Sequence, residues 1–253
     1  MSTHQEQLEM LETHKRTQHH QSHFQNYFKE VIYGGIDGII TTFAVVAGFS
    51  GAAFSNETTT QLSFLIVLLF GLANLFADGV SMGLGNFLSV KSDQDLYNAA
   101  RAKEVQEVKE NFQFEFDETI TILVEKGFSR ADAESLANIY IKNETYWIDF
   151  MMVHELEIPD PRGDNPVLTG FATFSSFLSF GAIPLLPFMV ARDTNPDTIF
   201  IYSIMGTAFA LMLLGLLKWK VVGSKLSMSL LEVFLVGGSA ATIAFLVGSF
   251  FKV

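Results

Sequence analysis

The residues LSFLIVLLFGLANLFADGVSMGLGNFLSV, at positions 62–90, decide the fold because they form one apolar run long enough to cross a bilayer as a helix. The run contains a carboxylate, Asp78, and it leads directly into a polar segment that extends over residues 91–166. A spanning helix that continues into a long charged segment predicts a membrane protein with a polar insert.

Four other parts of the chain also have the length and composition of membrane spans. They occupy residues 31–54, 167–190, 198–217 and 227–251. The predicted fold is therefore an all-α membrane protein with five transmembrane helices and a helical insert between the second and the third. The predicted domains are a His-rich leader (1–28), the first two transmembrane helices (29–90), the insert (91–166) and the last three transmembrane helices (167–253).

The basic residues favour one orientation of these spans. Fourteen of the sixteen Lys and Arg residues fall before the first span, in the insert or between the fourth and fifth spans. Because Lys and Arg are enriched on the cytoplasmic side of membrane proteins, the leader and the insert are predicted to be cytoplasmic. The chain would suit a bacterial plasma membrane, or a vacuolar-type membrane if its host is eukaryotic.

The net charge of the chain is −11, and the insert holds most of this negative charge. An acidic surface excludes nucleic acid as a partner and instead concentrates cations near the cytoplasmic ends of the spans.

The leader is rich in histidine, so it could be a metal-binding tail, although a loosely ordered segment is the simpler interpretation. Its histidines are His4, His14, His19, His20 and His23.

Four glutamates recur at helical spacing in the first half of the insert. They are Glu104, Glu107, Glu115 and Glu118. We expect residues 91–126 to continue the second span as one helix, which Gly127 ends, and the four carboxylates then lie within an arc of about 80°. A bend near Asn111 would still keep each pair together. Since like charges repel on a bare helix, the cluster favours a bound cation over the simpler alternative of a solvated acidic face.

A second candidate group lies on a helix predicted for residues 130–157, which begins at Ser129 with Asp132. The group consists of Met151, Met152 and Glu155. Carboxylate and thioether ligands together suit Fe²⁺, Mn²⁺, Co²⁺ or Ni²⁺ better than Mg²⁺ or Ca²⁺. The alternative is that the methionines are core residues. His154 is expected to point away from the group.

Polar residues inside the first two spans define a candidate transport pathway. Asp37 lies in the first span, and Glu30 lies seven residues earlier on nearly the same face. An ionisable residue inside a membrane span is costly, so its presence suggests a functional role. Asn74, Asp78 and Met82 form one stripe along the second span. The alternatives are an interfacial charge at Asp37 and an interhelical hydrogen bond at Asp78. A ridge of small residues beside the stripe favours close helix packing: Ala73, Ala77, Ser81 and Gly85.

The chain resembles the vacuolar iron transporter family in three stretches: YGGIDGIITTFAVVAG (33–48), GLANLFADGVSMGLGNFLSVKSDQDLY (71–97) and MMVHELEIPDP (151–161). The resemblance extends over residues 28–251. It implies a homodimer of five-helix subunits with an ion pathway between the first two helices of each subunit, and a three-helix insert paired across the dimer. It also implies export of Fe²⁺, and sometimes Mn²⁺, from the cytosol in exchange for protons.

Carried over to this chain, the family's insert ligands fall on Glu104, Glu107, Glu115, Glu118, Met151, Met152 and Glu155. The pathway carboxylate and thioether fall on Asp37 and Met82. The chain departs from the family pattern at Asn74, where some relatives have Glu, and at Asp78, where Gly is common. The resemblance implies a transporter and not an enzyme, without a prosthetic group, whose substrate is Fe²⁺ or else Mn²⁺, Co²⁺ or Zn²⁺.

Two other functions are compatible with the same insert. A membrane-tethered ferroxidase similar to ferritin would need Glu-x-x-His pairs on facing helices, but the residue three places before His154 is Met151. A metal-sensing scaffold would bind ions at the insert and transport none. Oxygen consumption would identify the first alternative, and the absence of ion flux would identify the second.

Overall fold

A computed structural model of the chain describes residues 6–11, 13–14, 23–52, 57–190 and 196–250. Half of the predicted leader, including His4, His19 and His20, lies outside the described residues, as do the ends of the first and fifth predicted spans. The described residues form helices and turns and contain no β-strand.

The helices follow one another along the whole described chain. After a helical turn at His23–Asn26 they are α1 (Phe28–Ala52), α2 (Glu57–Glu110), α3 (Phe112–Glu125), α4 (Arg130–Tyr140), α5 (Glu144–His154), α6 (Pro166–Gly181), α7 (Leu186–Val190), α8 (Pro196–Val222) and α9 (Leu226–Phe250). Short 3-10 turns at Pro161–Gly163 and Ile183–Leu185 precede α6 and α7.

Among the described residues, five helical segments are long and apolar enough to cross a membrane, in agreement with the predicted number of spans. They are Phe28–Ser50, Leu65–Glu110, Pro166–Val190, Thr198–Val222 and Leu226–Val247. At a rise of 1.5 Å per residue, the 46 residues of the second segment are about 69 Å long, more than twice the ~30 Å of hydrocarbon. Only its apolar first part, up to about Val90, therefore crosses the membrane, and its charged second part belongs to the insert.

The chain divides into two compact units, a membrane unit (Met1–Asn86 with Val167–Val253) and an insert unit (Phe87–Pro166). In the membrane unit, glycines of α1 allow close approach to the backbone of α6. A Cβ atom added at Gly34 would lie 2.6 Å from the carbonyl oxygen of Thr173, and one at Gly38 would collide with the carbonyl oxygen of Phe177. The two helices can pack at this distance because neither position has a side chain.

Helix α2 packs on α6 through a face that differs from the predicted one. A Cβ atom at Gly83 would lie 2.9 Å from the Cβ of Phe174, and the side chain of Asn86 donates a 2.7 Å hydrogen bond to the Thr173 hydroxyl. The predicted ridge of Ala73, Ala77, Ser81 and Gly85 is exposed, and the space beside Gly85 is open. Within the single chain this ridge is therefore not in contact with another described helix, and its predicted role in close helix packing stays a prediction.

The insert unit is built around one buried core to which all its helices contribute. The core residues are Tyr97, Val108, Ile120, Ile122, Leu123, Ala133, Ala137, Trp147, Ile148, Phe150, Met151 and Met152. A straight helix would separate Tyr97 from Leu123 by about 39 Å. The predicted single helix over 91–126 is wrong because the chain breaks at Asn111, which has φ −123° and ψ 34°, and returns both residues to the same core.

The second predicted helix of the insert, over 130–157, is also wrong, because it divides into α4 and α5. The second of these helices begins after Asn143, whose side chain accepts a hydrogen bond from the backbone N–H of Tyr146 and caps α5. The insert thus contains the end of α2 and three further helices, instead of three helices in all.

The predicted helix end and helix start between α3 and α4 are confirmed. Gly127 has φ +102°, and the N–H groups of Gly127 and Phe128 donate to the carbonyls of Val124 and Leu123, the pattern of a Schellman motif. The Ser129 hydroxyl accepts a hydrogen bond from the backbone N–H of Asp132 and caps α4. These local signals are readable from the sequence because they involve neighbouring residues only.

Candidate metal centre

Three glutamates from three different segments of the insert converge on one point. Glu104 lies near the end of α2, Glu115 in the first turn of α3, and Glu155 directly after α5. Each offers a carboxylate oxygen, and these three oxygens all lie within 4.8 Å of one another. We call these residues the glutamate triad.

The triad is buried, and its buried oxygens have no hydrogen-bond partners in the structure. The exposed fraction of the side chain is 1% for Glu104 and 4% for Glu115, and Glu155 is partly buried. Glu104 Oε1, Glu115 Oε2 and Glu155 Oε2 each lack a hydrogen-bond donor. Because a buried carboxylate without a partner is costly, this arrangement requires either bound protons or a cation.

The proximity of the carboxylates raises their pKa values. Burial, reinforced by the charge of Glu155, raises the pKa of Glu104 to about 8. Burial and the charge of Glu118 raise the pKa of Glu155 to about 7, and the same two causes raise the pKa of Glu115. Near neutral pH the triad therefore holds protons that a divalent cation would displace.

Two further glutamates of the predicted set surround the triad. Glu107 and Glu118 are partly buried, and both act electrostatically on Glu104, Glu115 and Glu155. Glu107 forms an ion pair with Lys103, whose Nζ lies 3.1 Å from Glu107 Oε1. The five predicted glutamates thus form one electrostatic cluster, of which three have converging oxygens.

The two predicted methionine ligands lie in the core beside this cluster. The side chains of Met151 and Met152 are both 0% exposed. The hydroxyl of Thr119 lies 2.8 Å from the backbone carbonyl oxygen of Glu115 and 3.4 Å from the sulfur of Met151, and it can donate to either. It accepts a 2.7 Å hydrogen bond from Trp147 Nε1, so these contacts connect Met151 to the helix that bears Glu115.

Helix α5 is also tied to the polar part of α2. The guanidinium of Arg101 on α2 donates a 3.1 Å hydrogen bond to the carboxylate of Asp149 on α5. Gln94, about two turns earlier on α2, donates to the backbone carbonyls of Pro161 and Asp164. These contacts position the segment that contains Glu155 against the helix that contains Glu104.

Residues near the site divide into those predicted from the sequence and those not predicted. His154 is exposed and packs against Phe150 with its ring tilted by 54°, outside the triad, as expected. Thr119 and Trp147 were missed, although their i, i+4 spacing to Glu115 and Met151 is visible in the sequence. That spacing is common on any helix, so it identifies no contact until the fold is known.

The predicted pathway residues lie in the membrane unit. Asp37, Asn74, Asp78 and Met82 are all partly buried, and Asp37 is close enough to Asp78 to feel its charge. Glu30 has one buried carboxylate oxygen without a hydrogen-bond partner. Met82 packs against the apolar core of this unit, where Phe177 lies. The predicted pathway residues thus lie in one unit, with Asp37 on α1 and Asp78 on α2 near enough to interact electrostatically.

The chain is similar to known proteins along most of its length. A sequence model described as the VIT family matches residues 28–249. The chain is 35% identical over 248 residues to a vacuolar iron transporter of Toxoplasma gondii, covering 95% of this chain and 79% of that protein. It is 32% identical over 240 residues to vacuolar iron transporter 1 of Arabidopsis thaliana, covering 93% and 92%. A vacuolar iron transporter of Plasmodium falciparum is 32% identical over 248 residues, covering 94% and 88%.

Proposed function

The chain belongs to the VIT family, and from this premise we propose that it is a membrane transporter that exports Fe²⁺ from the cytosol. Mn²⁺, Co²⁺ and Zn²⁺ are further candidate substrates. The observation that supports this function best is the glutamate triad, with its converging oxygens and unpartnered buried atoms. A buried anionic cluster of this kind stabilises a cation and is unfavourable without one.

The insert unit collects the ion in this proposal. The triad and the surrounding Glu107 and Glu118 supply oxygen ligands, and Met151 and Met152 would supply thioethers. Oxygen with thioether ligands favours Fe²⁺ and its neighbours in the first transition series over Ca²⁺ and Mg²⁺. The five glutamates would also raise the local concentration of cations at this end of the protein.

The ion then crosses the membrane unit along the first two spans. Asp37 would bind it within the membrane, with Asp78, Asn74 and Met82 along the same route and Glu30 at its cytoplasmic entrance. Because a metal ion and a proton compete for one carboxylate, a proton gradient could drive release by antiport. The leader and the insert are cytoplasmic in this scheme, as the distribution of Lys and Arg predicts. The host membrane is a bacterial plasma membrane or a vacuolar-type membrane.

A homodimer would complete the pathway. The exposed ridge of Ala73, Ala77, Ser81 and Gly85 lies beside the stripe of Asn74, Asp78 and Met82 on α2. Small side chains allow two helices to approach closely in lipid, so this ridge suits contact with a second copy of the chain. The polar stripe of each subunit would then lie next to the same stripe of its partner.

The ferroxidase and scaffold alternatives are less well supported. The exposed position of His154 leaves the triad without a histidine ligand among the described residues, whereas ferritin-like centres use one on each of two helices. A scaffold that transports no ion would not require carboxylates such as Asp37 and Asp78 inside the membrane spans.

Flux into proteoliposomes tests the proposed function. Vesicles that contain the full-length protein and a metal-sensitive dye are supplied with Fe²⁺, Mn²⁺, Co²⁺ or Zn²⁺, with and without a pH gradient. We expect uptake of Fe²⁺ that increases when the interior is acidic, together with a measurable alkalinisation of the interior. Uptake no faster than in protein-free vesicles would reject transport, and uptake that ignores the pH gradient would reject antiport.

A further inference from the structure

Lys103 lies beside the glutamate cluster, although it was not among the predicted site residues. Its ammonium group is 3.1 Å from Glu107 Oε1, and its charge also acts on Glu104 and Glu155. Glu115 and Glu155 feel this charge in turn. Lys103 thus forms an ion pair with one carboxylate of the cluster and lies near enough for its charge to act on neighbouring members of it.

The ammonium group of Lys103 is held loosely. Its side chain is 74% exposed, and its ion pair with Glu107 is an i, i+4 contact on the surface of α2. Exposed ion pairs are weak, and a lysine reaches its partner on a flexible four-carbon chain. The group can therefore leave the cluster without any change in the backbone.

We propose that Lys103 is a tethered counter-ion, which partly neutralises the ion-free glutamate cluster and which the arriving metal ion repels into solvent. The proposal rests on the proposed role of the insert as the ion-binding unit. The same positive charge that stabilises the empty cluster opposes a divalent ion inside it. Lys103 would thus lower the affinity of the insert and speed release, as a transporter that must pass its ion onward requires.

This role predicts opposite effects on the empty and the loaded protein. Replacing Lys103 by Met removes the charge and keeps most of the side-chain length. From Coulomb's law for a unit charge and a divalent ion in high dielectric, we expect Mn²⁺ to bind about three- to tenfold more tightly at low salt. The gain should shrink as ionic strength rises, because the charge is exposed. The ion-free variant should unfold at a lower temperature than wild type.

Lys109 provides a matched control on the same helix. Its side chain is 62% exposed and pairs with Glu144 at 3.6 Å, away from the triad. Lys109→Met changes the net charge by the same amount, so it separates a local effect from a general electrostatic one. Lys103→Arg keeps the charge and should behave like wild type.

The experiment is calorimetric titration of Mn²⁺ into the full-length protein in detergent micelles, with dissociation followed after mixing with a chelator. The expected result is tighter binding and slower dissociation in Lys103→Met alone. Unchanged or weaker binding in that variant, or an equal gain in Lys109→Met, overturns the counter-ion role while leaving the proposed function intact. If the wild-type protein binds neither Mn²⁺ nor Fe²⁺, the proposal that the insert binds the transported ion is rejected, and the counter-ion role of Lys103 is rejected with it.

Discussion

Glu104 and Glu115 are eleven residues apart in the chain, yet each offers a carboxylate oxygen within 4.8 Å of the other's. On a straight helix their Cα atoms would be about 16 Å apart. The break at Asn111 brings them together, and packing of the insert core removes both from water. What would be an acidic surface on a straight helix is therefore a buried site in the folded chain.

Removing one carboxylate from the triad should weaken metal binding without unfolding the protein. For Glu104→Gln we expect the affinity for Mn²⁺ to fall at least about 10- to 100-fold, the loss that is typical when even an outer-shell partner of a metal site is removed. The ion-free variant should be at least as stable as wild type at pH 7.5, because a neutral amide replaces a carboxylate whose ionisation is unfavourable. Calorimetric titration and thermal unfolding measure the two effects. Glu110→Gln, on the exposed side of the same helix, should change neither; equal losses in both variants would contradict a specific site.

The raised pKa values predict that the ion-free protein loses stability as the pH rises. Glu104 and Glu155 titrate at about 8 and about 7 in the folded chain, above the ordinary value of 4.5. Between pH 4.5 and 8 the folded state thus binds more protons than the unfolded state. The stabilisation from these groups is complete below pH 4.5 and is lost as the pH passes 7 and then 8.

Trp147 can report this titration because it is buried in the insert core. Replacing Trp219, the other tryptophan, by Phe leaves Trp147 as the single fluorophore. With a chelator present to remove metal, the thermal unfolding midpoint of this single-tryptophan protein should decrease from pH 5.5 to 8.5. The decrease should be smaller when Glu104 and Glu155 are both replaced by Gln. Saturating Mn²⁺ should reverse the trend, since the metal binds the deprotonated carboxylates. The same slope with and without the two glutamates would disprove the assignment.

The hydroxyl of Thr119 should stabilise the insert through its bond with Trp147. In Thr119→Val the indole N–H remains buried without an acceptor, which costs about 1–3 kcal/mol. Fluorescence of the single-tryptophan protein then shows a lower unfolding midpoint. Thr121→Val, two residues later on the exposed side of α3, loses only a bond to the Asp117 carbonyl and should change little. Similar losses at both positions would point to helix propensity as the cause.

Asp37 should be essential for transport and dispensable for ion binding at the insert. Asp37→Ala removes the carboxylate from the first span, so we expect no metal flux into proteoliposomes. Calorimetric binding of Mn²⁺ at the insert should remain as in wild type. Asp93→Ala, an exposed change in the insert unit, is the control for folding and reconstitution and should transport normally. Flux at the wild-type rate in Asp37→Ala would show that the pathway lies elsewhere.

Part of this architecture follows from local patterns in the chain. The five spans and the caps at Gly127 and Ser129 were predicted because hydropathy and capping depend on neighbouring residues. The sequence admitted a bend at Asn111 without deciding it, and the break before Asn143 was missed, since an asparagine in a polar stretch is compatible with a helix and with a break. The face of α2 that packs on α6 could not be predicted, because two adjacent faces are both lined with small residues and only contact with α6 distinguishes them.

The amino-acid sequence by itself determined the membrane spans, the acidic insert and the identity of its candidate ligands, because length, hydropathy and helical spacing are properties of short segments. Only the tertiary structure decided that Glu104, Glu115 and Glu155 converge, and that Thr119 links Trp147 with Met151. These contacts join segments that are far apart in the chain. They arise because several short helices must bury one shared core, and no local pattern specifies which side chains that packing brings together.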